Sequence, residues 1–131
     1  MRVSWLCRYQ VLAAPEVLNG PGYSTKADIF SVGIILYTIL TGVSPFYGKT
    51  QQEVLQKNKA CSIEYPDKYW SNVSLSAKSL VEKMTEKNPY KRPTATECLQ
   101  HQWFNVPSIP HFGSLLAVQE NIKLMQPMYA F

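Results

Sequence analysis

The sequence predicts a mainly α-helical domain around a buried central helix, and three observations carry that prediction. Ile29 to Leu40 is apolar on nearly every face at helical spacing, between Asp28 and Gly42. Two capping boxes, Thr50-Gln51-Gln52-Glu53 and Thr94-Ala95-Thr96-Glu97, open further helices. Nine prolines and six glycines among 131 residues divide the rest into short helices joined by turns.

In chain order, 13–22 reads as loop, because Pro15 breaks it and Asn19-Gly20-Pro21-Gly22 is dense turn chemistry. A helix follows near 28–41. Asp28 at its start favours the positive helix end, and Gly42 suits the left-handed cap just past its end. The β-branched content leaves a buried strand as the alternative, but the length and both caps decide for helix. The mostly polar helix near 50–59 belongs at the surface. An aromatic-rich loop around Tyr65-Pro66-Asp67 and Trp70-Ser71-Asn72 comes next. Ser74 or Ser76 then caps a helix near 74–86, with Leu80, Val81 and Met84 on one face and Asn88-Pro89 beyond its end. The second capping box leads a helix near 94–101 into Trp103-Phe104. After that Pro107, Pro110 and Gly113 mark a linker, and Leu115 to Met125 is weakly amphipathic.

Composition narrows the function classes. With 46% hydrophobic and 17% charged residues the balance is globular. A net charge of +4 invites an acidic partner. The basic residues are scattered, however, and no aromatics interleave with them as in a base-stacking platform, so neither nucleic acid nor membrane is an expected partner. Cys7, Cys61 and Cys98 form no CxxC pair, which disfavours zinc and a disulfide framework and fits a reducing, intracellular and cytoplasmic setting. Arg8 and Gln10 interrupt any signal-peptide core, and the apolar run at 29–40 is shorter than the ~20 residues of a membrane span.

Four short motifs stand in a fixed order. Ala14-Pro15-Glu16 comes first, then Asp28-x-Phe30-Ser31-x-Gly33, then Pro45-Phe46, then Arg92 ahead of Thr94-Ala95-x-Glu97. Each alone is weak. Together they resemble the second half of a eukaryotic protein kinase domain, over Ala13 to Phe104, about seven tenths of the chain. The style of Leu36 to Gly48 and of His101-Gln102-Trp103-Phe104 looks most like the calcium/calmodulin-dependent serine/threonine group. The fold implied is a partial kinase C-terminal lobe around the buried central helix.

The resemblance implies roles residue by residue. Glu16, closing the Ala14-Pro15-Glu16 tripeptide, would end the activation segment in a buried ion pair with Arg92. Leaving either partner of such a pair alone costs roughly 3–5 kcal/mol. Asp28 would hold the backbone of the catalytic loop, and Gly33 would allow close helix packing. It also implies domain limits: 1–12 a diverged or truncated activation-segment remnant, 13–104 the partial kinase domain, and 105–131 a linker with a short helical tail. In the remnant Cys7 matches the related kinases, whereas Tyr9 and Val11 stand where they carry threonine and glycine.

Phosphoryl transfer needs a glycine-rich loop, a lysine, a catalytic aspartate with an asparagine, and a second aspartate for Mg²⁺. In the family all of these precede the Ala-Pro-Glu tripeptide, and here thirteen residues do. The two aspartates, Asp28 and Asp67, both lie downstream, in neither an H-R-D nor a D-F-G setting. Gly20-Pro21-Gly22 and His111-Phe112-Gly113 imitate phosphate- and metal-binding motifs but also lie downstream. No catalytic, cofactor-binding or metal residue is therefore assigned. Intact relatives would use ATP and Mg²⁺; this chain alone is expected to be inactive. A non-catalytic lobe that engages a protein substrate or regulator, or an incomplete gene product, is the alternative. The absent upstream elements would leave an apolar patch on the central helix and make folding marginal or partner-dependent.

Overall fold

The computed structural model describes residues 12–20 and 24–105. Residues 1–11, 21–23 and 106–131 lie outside the described residues, and with them most of the activation-segment remnant expected at 1–12 and of the linker and tail expected at 105–131. Within them the chain forms α1 (Pro15–Asn19), α2 (Thr25–Thr41), α3 (Gln51–Ala60), α4 (Asp67–Trp70), α5 (Leu75–Met84), α6 (Ala95–Leu99) and α7 (Gln102–Asn105). No strand occurs among the described residues.

Side-chain caps set most of the boundaries. The α2 helix begins three residues ahead of Asp28, because the Ser24 hydroxyl accepts the Lys26 N–H at 3.2 Å and serves as the cap. It ends at Gly42, whose φ of 78° lets its N–H reach the Thr38 carbonyl at 2.7 Å. Thr50, Ser74 and Thr94 each accept a backbone N–H three residues on, at 3.2 Å, and so open α3, α5 and α6. The return arm of the first box is shifted by one residue: Glu53 takes the Lys49 N–H at 2.7 Å rather than that of Thr50.

Three short helices lie where the sequence reading gives loop or a continuous helix. Pro15 occupies the first position of α1, where its fixed φ suits a helix and its missing N–H costs nothing; it starts this turn rather than breaking one. The single turn of α4 follows Pro66 inside the aromatic-rich segment. The helix expected at 94–101 stops at Leu99, and α7 restarts at Gln102, where the His101 Nδ1 accepts the Trp103 N–H at 3.2 Å. Similarly, α5 ends at Met84 instead of 86, where the Thr85 hydroxyl turns back to the Val81 carbonyl at 2.7 Å.

The core gathers around α2, which packs most extensively on α5. At that crossing a Cβ on Gly33 would lie 2.8 Å from Thr85 Cγ2 and 2.9 Å from Met84 Cβ, so only glycine allows this approach. One end of α2 contributes Ala27, Phe30 and Ile34 to a cluster with Ala14 and Phe46. Farther along, Tyr37 joins Trp70, Val43 and Val81. Tyr37 and Trp70 meet edge to face at 4.9 Å, and Tyr65 meets Trp70 at 5.0 Å. The other side of α2 is open. Val32 is 49% exposed, Ile35 43% and Ile39 63%, and at spacings of three and four they form one stripe with exposed Asp28.

Candidate functional site

The densest polar site is built on Arg92, whose side chain is wholly buried. Ala14, 1% exposed, packs into the core just before α1, and Pro15 sets the first turn, so Glu16 projects from a fixed backbone. Its two oxygens accept from Arg92 Nη1 at 2.7 Å and Nη2 at 3.2 Å, the forked geometry that suits guanidinium and carboxylate. Nη1 also donates to the Lys26 carbonyl at 2.7 Å. Nε and Nη2 donate to the Glu86 carbonyl at 3.0 and 2.8 Å. The Phe30 ring lies 5.0 Å from the guanidinium carbon, and the Lys26 ammonium donates to the Arg92 carbonyl. One buried cation thereby ties together the N-terminal turn, the start of α2 and the turn after α5.

Electrostatics at Glu16 oppose one another. Burial raises its pKa, but the Arg92 hydrogen bond, a backbone N–H and the guanidinium charge outweigh that and hold the carboxyl below its usual 4.5. Cys61, behind α3, goes the other way. Burial pushes its thiol up to about 11, and the protonated sulfur donates to the Thr85 carbonyl at 3.4 Å. That thiol is a packed donor, not a nucleophile.

The structure thus brings Glu16 and Arg92 together, with Phe30 on the guanidinium and Ala14 and Phe46 in the same cluster as Phe30, and leaves Asp28 and Gly33 apart from them. Gly33 sits at the α2–α5 crossing, and Asp28 faces solvent on the open stripe, where its carboxylate finds no hydrogen-bond partner among the described residues. Sequence reasoning missed Lys26 and the Glu86 carbonyl, and named Phe30 only as a motif residue, without its place against Arg92. Lys26 and Phe30 share a helix face at four-residue spacing, but nothing local says that the face meets Arg92.

Holding a nucleotide with Mg²⁺ requires carboxylates that converge on the cation. Among the described residues no group of three His, Cys, Asp or Glu side chains converges, and Asp28 and Asp67 lie in the first turns of different helices. The described residues do not fit Mg²⁺-ATP. Nor is any helix among them long and apolar enough to cross a membrane.

A helical lobe wrapped on one central helix, with a forked ion pair closing its N-terminal turn, is the class of structure defined here. A family model described as "Protein kinase domain" matches residues 6–104. The chain belongs to the protein kinase family. Relatives named as serine/threonine kinases are among those it matches. It is 47% identical over 91 residues to "Probable serine/threonine-protein kinase 2" of Plasmodium falciparum (isolate K1 / Thailand), covering 70% of this chain and 18% of the relative. To calcium-dependent protein kinase 25 of Arabidopsis thaliana it is 41% identical over 101 residues, covering 74% and 19%. Among solved structures, the twitchin kinase region from C. elegans superposes with a TM-score of 0.78 at 30% identity, over 90% of this chain and 21% of that one. The chain therefore spans about a fifth of the length of these relatives.

Proposed function

We propose that this chain serves as the C-terminal-lobe scaffold of a serine/threonine protein kinase and carries no phosphotransfer by itself. The observation that carries this reading is the Arg92–Glu16 pair, with every guanidinium donor engaged and its partners 76 positions apart in the chain. Such a pair fixes the end of an activation segment against the helical core. In intact relatives the reaction would move the ATP γ-phosphate to a protein hydroxyl with Mg²⁺. The Ala14-Pro15-Glu16 turn and Arg92 anchor that machinery; Asp28 and the stripe on α2 seat the elements that would bear it, and Gly33 sets the depth at which α2 lies.

A second reading, a non-catalytic binding module, is favoured by one specific observation: the half-exposed Val32, Ile35 and Ile39 offer an apolar face for a protein partner. Scattered basic residues support a protein partner over a nucleic acid, and the free thiols of Cys61 and Cys98 support a reducing, cytoplasmic location. The test is transfer of radiolabelled phosphate from ATP to a mixed serine/threonine peptide library by the purified 131-residue chain. Counts should stay at the no-protein level with or without Mg²⁺. Incorporation that disappears when Mg²⁺ is chelated would sink the proposal.

A further inference from the structure

Between the loop after α2 and the segment entering α4 the surface folds into a cleft of about 220 Å³. Tyr37, Tyr47 and Tyr69 line it with Pro45 and Pro66. Tyr37 is buried, and its hydroxyl donates to the Glu64 carbonyl at 2.7 Å, so this part of the wall is fixed. Two lysines reach over the other rings. The Lys57 ammonium lies 4.8 Å from the centre of the Tyr47 ring and donates to the Tyr47 carbonyl at 2.8 Å. That of Lys68 lies 4.6 Å from the centre of the Tyr69 ring. Neither makes an ion pair among the described residues, and Glu64 is the single acidic side chain in the lining.

This arrangement selects its ligand. Ammoniums held over aromatic rings are pre-placed, so an incoming carboxylate meets them with less ordering cost than at a free lysine. The space is smaller than the roughly 300–1,000 Å³ of small-molecule sites, and suits an inserted side chain rather than a cofactor. One face of both Tyr47 and Tyr69 is already taken by a lysine, which removes the platform that a nucleobase would need. We infer that the cleft docks an extended acidic segment of a partner protein, which inserts an apolar side chain among the tyrosines and sets carboxylates on Lys57 and Lys68. Two cations against one carboxylate supply the charge complementarity.

This inference rests on the cleft alone and not on the scaffold reading. Fluorescence polarisation with the 131-residue chain would compare two labelled peptides, Glu-Asp-Phe-Asp-Glu and its neutral counterpart Gln-Asn-Phe-Asn-Gln. The acidic peptide should bind saturably at low salt, about tenfold or more tighter than the neutral one, and should weaken as salt rises. A K57E/K68E variant, changed at two exposed positions, should reverse that preference while its far-ultraviolet circular dichroism stays unchanged. Amide shifts in labelled protein should concentrate at 43–47 and 62–69. No binding, equal binding of both peptides, an unaltered preference in the variant, displacement by oligouridine, or shifts confined elsewhere would each overturn it.

Discussion

Arg92 has five N–H donors in a rigid fork, and each meets an oxygen of Glu16, Lys26 or Glu86. Lysine cannot reproduce that pattern, because a point charge with three donors reaches neither both carboxylate oxygens nor both carbonyls. Arg92→Met should therefore destabilise the fold by about 3–5 kcal/mol, and Arg92→Lys should recover only part of the loss. Urea titration followed by circular dichroism measures both. The same pair fixes an acid dependence. The folded-state pKa of Glu16 is lowered, so its contribution is present above the ordinary value of 4.5 and is lost as pH falls through the folded value. Stability measured across pH 3 to 6 should fall toward acid, and Glu16→Gln should flatten that part of the curve. Both partners of the pair were legible as sequence motifs. Its surroundings were not, since the Lys26 and Glu86 carbonyls belong to the main chain and leave no residue signature.

At the scale of elements, α2 was legible through its apolar run and Gly42, and α3, α5 and α6 through their hydroxyl caps. What escaped were the short helices, because a turn of four or five residues has too little periodicity to register, and Pro15 and Pro66 mark a start as readily as a break. The α2–α5 crossing yields a sharper prediction. Gly33→Ala gains about 1 kcal/mol of helix propensity but drives a methyl into Thr85 and Met84, an overpacking cost of about 1–3 kcal/mol. The net effect should be destabilising. Thr85→Ser removes the methyl group at 2.8 Å and should recover part of the loss in the double variant, as a mutant cycle of unfolding free energies would reveal.

For the whole molecule, what matters is that α2 has one buried and one open side. One side holds Phe30, Ile34 and Tyr37 at 2% exposure or less, while the other presents Val32, Ile35 and Ile39 at 43–63%. A fully buried side chain of this kind contributes about 1.5–3 kcal/mol, so covering the stripe is worth several kcal/mol to any partner that fits it. The sequence told that the helix was apolar all round; only the packing told which side was left over. A scaffold with an uncovered seat should self-associate through that seat when purified alone. The direct measurement is sedimentation velocity, with thermal unfolding, of the native chain beside a Val32→Ser, Ile35→Ser, Ile39→Ser variant. The native chain should associate as its concentration rises, and the variant should sediment as a monomer with its helix content retained. A native chain that sediments as a monomer and unfolds in one sharp transition, indistinguishable from the variant, would contradict it.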